Sequence, residues 1–423
     1  MGILIKGTYL VHSSGKLEKK DVYLKEDKIE SIANTLYAYE NDKIIDGNNK
    51  LLVPGLANCH THLSMTLLRG IADDIPLKQW LENEIWPTEE KLKPEDVYWG
   101  AMLGVAEMIK GGTTVFADMY FLEDDVARAV AETGIRACLA PGLIYQNPEN
   151  GEKKLKENVN FIKKWEGWGN LITTAFGPHA LYTCPPEYIR EIVKEARNLG
   201  VLVHFHFLEA DWERDYCLKN YGLNPLDFLQ KTHLLDIHTI IAHGVHLTLE
   251  ESRDLAPYQI YLAHNPTSNL KLSSGIAPIA GFLKNGFKLA LGTDGTASNN
   301  DLDMWEEGRL MSFIQKGVSG DPTVLNAKQS FKIMTENGYY ALKLKGGKIE
   351  EGCLADLILI DLNAPHLTPI YNGFSHLVYV VHPEDVKTTI VGGKILMHNR
   401  ELLTIDEEKV ISKVRDIARR LKQ

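Results

Sequence analysis

Short strand-like runs alternate with amphipathic stretches between Pro54 and Lys345, and this alternation constrains the fold more than any other feature. Eight runs occur: LLVPGLANCH, GTTVFADMY, RACLAPGLI, NLITTAFGPH, VLVHFHFLE, TIIAHGV, IYLAHNP and KLALGTD. Regular strand–helix alternation produces a parallel sheet covered by helices, and about 250 residues suffice to close such a sheet into a barrel. The pattern therefore predicts an α/β protein with a (β/α)8 TIM barrel over residues 55–345.

The two ends of the chain have a different texture. Both contain short β-type runs separated by Gly, Asn, Asp and Lys turns, and the final stretch, IDEEKVISKVRDIARRLKQ, has apolar residues at helical spacing. We expect both chain termini to form one small β-sandwich domain. Residues 1–54 and 346–423 would be its two parts, with a helix at the C-terminus.

Charge and cysteine content exclude several classes of protein. The chain has 46 Lys and Arg against 56 Asp and Glu, a net charge of −10, so it lacks the basic footprint of proteins that bind nucleic acid or anionic membranes. Its five cysteines show no CxxC spacing, which argues against a disulfide framework and a structural zinc site. We expect a cytoplasmic, homo-oligomeric protein that acts on a small molecule.

Ionisable residues stand at the ends of the predicted strands, where a (β/α)8 barrel carries its active site. His60 and His62 are two apart on one strand and therefore point to the same side. His206 and Asp294 end two later runs. Imidazole nitrogens and a carboxylate suit Zn²⁺, with Fe²⁺ as the alternative. We predict one divalent metal per chain, held by these four residues, because the fourth run offers no lysine to bridge a second ion.

Other residues near these positions have open roles. His204 and His246 either contribute to the site or serve as hydrogen-bonded core histidines. His264 is expected to support the site from a neighbouring strand end, and Cys59 to be a core residue. Ser298 either bonds within the site, as Asn299 would, or caps a helix.

Several motifs together resemble the adenosine-derivative deaminase branch of the amidohydrolase superfamily, and the resemblance runs almost the full chain. The motifs are PGLANCHTH, the HxxE at His206 to Glu209, AHGVH, HNPTSNLKLSSGIAP and LGTDGTASNN. The segment RGIADDIPLKQWLENEIWPTEEKL is similar to that of archaeal 5′-deoxyadenosine deaminases and of 5′-methylthioadenosine/S-adenosylhomocysteine deaminases. The resemblance implies hydrolytic deamination of 5′-modified adenosines to inosine analogues by metal-activated water, with S-adenosylhomocysteine and adenosine as weaker substrates.

The resemblance also implies substrate contacts. Glu89 would accept hydrogen bonds from the ribose hydroxyls, with His179 beside it, and Trp80 would line the base pocket. The alternatives are a solvated acid near a helix start for Glu89 and a core role for Trp80.

Three residues are predicted to carry the chemistry. Glu209, three residues after His206, would bind the purine and donate a proton to its N1 atom. Asp294 would also contact the substrate, take the proton of the attacking water and deliver it to the departing ammonia, while His243 stabilises the developing charge. The alternatives are a structural carboxylate for Glu209 and an Asp-Gly turn for Asp294.

Two departures from the family pattern bear on the substrate's 5′ group. Pro141 and Lys154 stand where related enzymes that accept S-adenosylhomocysteine often carry arginine. Since arginine matches a carboxylate through two parallel hydrogen bonds, we expect hydrogen or methylthio to be preferred over an amino-acid tail. The alternative functions are a deaminase of a free base or s-triazine, such as guanine or cytosine, a ring-amide hydrolase, and a non-catalytic scaffold.

Overall fold

The computed structural model describes residues 2–422 and contains two sheets. The strands are β1 (Ile3–Val11), β2 (Leu17–Lys25), β3 (Lys28–Ala33), β4 (Lys43–Asp46), β5 (Lys50–Pro54), β6 (Leu56–Thr61), β7 (Thr113–Tyr120), β8 (Arg136–Leu143), β9 (Ile172–Pro178), β10 (Leu202–Phe207), β11 (Thr239–His243), β12 (Ile260–His264), β13 (Lys288–Leu291), β14 (Leu357–Asp361), β15 (Val386–Val391), β16 (Lys394–His398) and β17 (Glu401–Leu402).

The α-helices are α1 (Leu77–Gln79), α2 (Trp86–Glu89), α3 (Pro94–Gly111), α4 (Glu123–Thr133), α5 (Pro148–Trp165), α6 (Pro186–Leu199), α7 (Trp212–Tyr221), α8 (Pro225–Lys231), α9 (Leu249–Leu255), α10 (Pro266–Lys271), α11 (Ile279–Lys284), α12 (Met304–Ser319), α13 (Ala327–Met334), α14 (Glu336–Ala341), α15 (Gly373–Tyr379) and α16 (Glu407–Leu421). A π-helical turn (Trp80–Ile85) connects α1 to α2. Single 3-10 turns cover Leu63–Leu68, Trp168–Asn170, Leu234–Asp236, Pro365–Leu367 and Pro383–Asp385. None of the helices within residues 2–422 combines the length and the apolar character that crossing a lipid bilayer requires.

Strands β6 to β13 form an eight-stranded parallel sheet in chain order. The backbone N–H of Asp294, just after β13, donates to the carbonyl of His60 on β6 at 2.9 Å, so the barrel is nearly closed. All eight predicted barrel strands are confirmed. The first predicted run divides at Gly55, where a side chain would collide with Thr114. Its first half, β5, joins the other sheet, and its second half, β6, opens the barrel.

The predicted association of the two chain ends is confirmed, since β1–β5 and β14–β17 form one nine-stranded sheet. Strands β5 and β14 pair antiparallel from Lys50 opposite Asp361 to Pro54 opposite Leu357. Apolar side chains of the sheet enclose a core of their own, which includes Ile5 and Leu359. Because burial of apolar surface is the main stabilising term, each end of the chain needs the other to complete this core.

The predicted C-terminal helix is also present, as α16, and it packs on helix α3 of the barrel. Two ion pairs connect the helices. Lys110 Nζ lies 2.6 Å from Glu407 Oε1, and Arg420 contacts Asp96. The end of the chain is thereby attached to the outer wall of the barrel.

Candidate active site

A cavity of about 710 Å³, counting its open mouth, lies at the C-terminal ends of the barrel strands. The predicted site residues His62, Trp80, Glu89, His179, His206, Glu209, His243 and Asp294 all line it. This position follows from the topology, because parallel strands bring their carboxyl ends to one face of a barrel.

The four predicted metal ligands converge at the floor of the cavity. Asp294 Oδ1 lies 3.4 Å from His60 Nε2 and 3.2 Å from His62 Nε2. His206 Nε2 lies 3.3 Å from His62 Nε2. The His60 Nε2 atom is buried and has no hydrogen-bond partner among the described residues, so it is free to ligate an ion. Three imidazole nitrogens and one carboxylate oxygen at these spacings fit a single divalent metal.

Hydrogen bonds on the opposite edge of each ring fix the orientation of the histidines. His62 Nδ1 lies 2.5 Å from the Met119 carbonyl, and His206 Nδ1 lies 2.7 Å from the His179 carbonyl. His60 Nδ1 lies 2.9 Å from His204 Nε2. Bonds of this kind keep the Nε2 lone pair directed at the ion. His204 thus supports a ligand.

Asp294 is held in a single orientation by two serines. Its Oδ2 atom accepts hydrogen bonds from Ser268 Oγ at 2.7 Å and from Ser298 Oγ at 2.6 Å, which leaves Oδ1 facing the histidines. Burial opposes ionisation, but hydrogen bonds from His60 and His62 hold the pKa of Asp294 well below its ordinary value. Ser298 is not a helix cap, since Asp303 occupies that position before α12.

Glu209 and His243 face each other across the cavity, with 3.8 Å between Glu209 Oε2 and His243 Nε2. Glu209 is 8% exposed, and this burial raises the pKa of its carboxyl. His243 Nδ1 lies 2.9 Å from Asn269 Oδ1. Because an amide oxygen only accepts, Nδ1 carries the proton in the neutral ring and the Nε2 lone pair faces the cavity.

A third group of residues lies on another wall of the cavity. Glu89 ends α2 and His179 follows β9. The Glu89 Oε1 atom is buried, and burial raises the pKa of this carboxyl to about 7, against the opposing influence of Tyr120 and His62. Trp80 lines the cavity and is also well packed, with its Nε1 donating to the Ala72 carbonyl at 3.1 Å.

The remaining predictions have clear outcomes. His246 bonds to the Ser274 carbonyl at 2.9 Å, and Cys59 lies fully buried in the barrel core, as expected. His264 is buried at the end of β12 and does not line the cavity. Asn299 bonds to Glu307 Oε1 at 2.6 Å rather than to the ligands.

Sequence reasoning missed three residues that contact or support the site. Tyr120 lines the cavity, Asn269 binds His243, and Glu213 accepts backbone N–H groups around Glu209. A signal existed for Tyr120, which ends the run GTTVFADMY in the same way that the ligands end theirs.

Comparison with known proteins agrees with this geometry. The family model of the amidohydrolases matches residues 51–396. The chain belongs to the amidohydrolase family. The predicted resemblance is therefore confirmed, and this amidohydrolase is a metal-dependent hydrolytic enzyme that uses a divalent ion.

Similar proteins carry deaminase names. The amidohydrolase is 48% identical over 413 residues to a 5-methylthioadenosine/S-adenosylhomocysteine deaminase of Carboxydothermus hydrogenoformans, covering 96% of this chain and 95% of the relative. It is 44% identical to a 5′-deoxyadenosine deaminase of Methanocaldococcus jannaschii, covering 98% of both chains. A crystal structure of an adenosine deaminase from Xanthomonas campestris with bound zinc superposes with a TM-score of 0.92 at 32% identity, covering 99% of this chain and 98% of the other.

Proposed function

We propose that this amidohydrolase deaminates 5′-modified adenosines, releasing ammonia and leaving the inosine analogue. One observation carries the proposal: Glu89 and His179 line the same cavity as Glu209, His243 and Asp294. A deaminase of a free base has no use for an additional buried carboxylate, whereas ribose hydroxyls supply the donors that Glu89 lacks. The names of the similar proteins support the same class of substrate.

His60, His62, His206 and Asp294 would hold the metal, and their nitrogen and carboxylate donors favour Zn²⁺. When bound there, a divalent ion supplies Lewis-acid chemistry that makes water a nucleophile near neutral pH. The zinc in the Xanthomonas campestris deaminase supports this choice of metal.

The proton transfers belong to the chain's own carboxyl groups. Glu209 retains its proton near neutral pH because burial raises its pKa, so it donates that proton to N1 of the purine and makes carbon 6 electrophilic. Asp294 remains ionised, accepts a proton from the attacking water and returns it to the amino group that leaves as ammonia. His243 Nε2 orients the water and, once protonated, stabilises the charge on the attacked carbon.

The far part of the cavity favours a small 5′ substituent. No lysine or arginine is among the described residues that line it, and the side chains there include Phe121 and Ile144. Lys154 stands outside on α5, where it pairs with Glu157 at 3.0 Å. A zwitterionic amino-acid tail would lose hydration without gaining a partner, which is costly for a charged group. Hydrogen and methylthio are therefore the proposed 5′ groups.

Ammonia release by the metal-loaded protein tests the proposal. The panel is 5′-deoxyadenosine, 5′-methylthioadenosine, S-adenosylhomocysteine, adenosine, adenine, guanine and cytosine. We expect the first two to give the highest kcat/KM and adenine almost none. Activity confined to free bases would contradict the proposed substrate, and no release from any compound would contradict deamination itself.

A further inference from the structure

Tyr120 has a hydroxyl group for which the site described so far has no use. The residue ends β7, lines the cavity and is 3% exposed. Its ring packs near His62 and Phe121, with centroid distances of 6.4 and 5.6 Å. Its Oη atom is buried and makes no hydrogen bond among the described residues. Because buried polar groups are nearly always paired, an unpaired hydroxyl facing a cavity indicates a partner supplied by the ligand.

Glu89 provides the second half of the observation. The Tyr120 hydroxyl is near enough to Glu89 to oppose the rise in its pKa, yet neither Oη nor Glu89 Oε1 has a hydrogen-bond partner among the described residues. Two unpaired polar atoms therefore lie close together on one wall of the cavity. Burial and the nearby carboxylates Glu89, Asp118 and Glu123 raise the pKa of Tyr120, so the phenol remains protonated and is a hydrogen-bond donor.

The two groups are complementary to one alcohol. An ionised carboxylate only accepts hydrogen bonds, whereas a sugar hydroxyl has one proton to donate and two lone pairs that accept. A hydroxyl that donates to Glu89 therefore keeps its oxygen available for a donor. We propose that Tyr120 donates a hydrogen bond to the ribose hydroxyl that Glu89 accepts from, which makes Tyr120 a substrate-binding residue that selects ribonucleosides.

This inference rests on the proposed function, because it assumes that a nucleoside occupies the cavity. It goes further by assigning selectivity to a phenol at the end of β7. A site that hydrogen-bonds a substrate hydroxyl discriminates against the analogue that lacks it, since the site's own polar groups are then left unpaired.

The test compares wild type with Tyr120→Phe on adenosine, 2′-deoxyadenosine and 3′-deoxyadenosine. The variant removes one oxygen that bonds to no described residue, so its melting temperature should match that of wild type. We expect kcat/KM to fall about tenfold on adenosine, the scale of one hydrogen bond. The same fall is expected on one deoxy analogue and almost none on the other, namely the one that lacks the hydroxyl bound by Tyr120.

The matched control is Tyr188→Phe. Tyr188 is also buried, but its hydroxyl donates to the Gly151 carbonyl at 3.0 Å and does not line the cavity. This variant should leave the ratios of kcat/KM among the three substrates unchanged. A second measurement is the double-mutant cycle of Tyr120→Phe with Glu89→Gln on adenosine. Two groups that bind one hydroxyl should give a combined loss smaller than the product of the single losses.

The outcomes separate this inference from the proposed function. Equal losses on all three nucleosides, no loss on adenosine, or independent effects in the cycle would overturn the role of Tyr120 while wild type still deaminates nucleosides. If wild type releases no ammonia from any nucleoside, the proposed function fails, and the inference fails with it.

Discussion

Glu213 Oε1 accepts the backbone N–H of Glu209 at 2.7 Å, so one buried carboxylate positions the segment that carries the proposed proton donor. The same carboxylate accepts the N–H of Leu208 and of Ala210, both at 3.0 Å. Leu208 has a positive φ of 52°, a conformation that non-glycine residues rarely adopt without support. The position of Glu209 in the cavity therefore depends on Glu213.

Glu213→Gln should lower kcat on every substrate by about tenfold, because an amide replaces one acceptor oxygen with a donor that faces backbone N–H groups. The metal content should remain about one ion per chain, since no ligand is touched. Steady-state kinetics and metal analysis measure both quantities. Glu191→Gln, on the exposed face of α6, is the matched control. Unchanged turnover in Glu213→Gln would show that the segment does not need this support.

Glu209→Gln should reduce turnover by roughly 10²-fold or more while the metal stays bound. Glutamine has nearly the same shape but no acidic proton to transfer to the purine. The measurement is kcat for ammonia release at equal metal occupancy. A variant that keeps more than a third of wild-type turnover would remove Glu209 from the proton transfer.

Ser268→Ala and Ser298→Ala should each lower metal affinity or activity by roughly 10- to 100-fold, the usual effect of removing a hydrogen bond that orients a ligand. Each serine holds Asp294 Oδ2, so the double variant should lose more than either single one. Metal affinity is measured by competition with a chelator. Ser252→Ala is the control, because Ser252 is equally buried but bonds to the Leu249 carbonyl at 2.8 Å. Affinities equal to that of the control would contradict the prediction.

Glu89 should give nucleoside turnover a specific dependence on pH. Burial raises the pKa of its carboxyl to about 7, so the group is protonated below that pH and ionised above it. Only the ionised form accepts from both ribose hydroxyls, and kcat/KM for nucleosides should therefore rise as the pH increases through about 7. Glu89→Gln should lack this rise, and the two profiles measured on 5′-deoxyadenosine check it. An identical rise in the variant would assign the titration to another group.

Lys271→Met should raise KM for nucleosides and free bases alike by roughly two- to fivefold, the scale of a partly exposed ion pair. Lys271 contacts both Asp73 and Asn300, and it lowers the pKa of Asp73. Asp73 is next to Ala72, whose carbonyl anchors Trp80. Hydrogen exchange of the segment 70–80 should become faster. Lys164→Met, which removes an exposed pair with Asp124, is the control and should change neither quantity.

The metal centre could be predicted from the sequence because two local rules were enough. Alternation of apolar runs located the strands, and parallel strands bring their ends together, so His60, His206 and Asp294 had to meet although they are far apart in the chain. His62 followed from the two-residue period of a strand. The supporting contacts could not be predicted in this way. Asn269 reaches His243 across 26 residues, and that contact depends on how α10 packs beside β11 and on one side-chain rotamer.

The sequence by itself determined the barrel strands, the order of the ligands along them and the family. These depend on periodicity and chain order, which every folded form of the chain must respect. Only the tertiary structure decided that Lys154 points away from the cavity, that Glu213 holds the segment around Glu209, and that the Tyr120 hydroxyl is left unpaired beside Glu89. The physical reason is that hydrogen bonding and burial are set by distances of a few tenths of an ångström between side chains from separate elements, and residue spacing along the chain does not encode such distances.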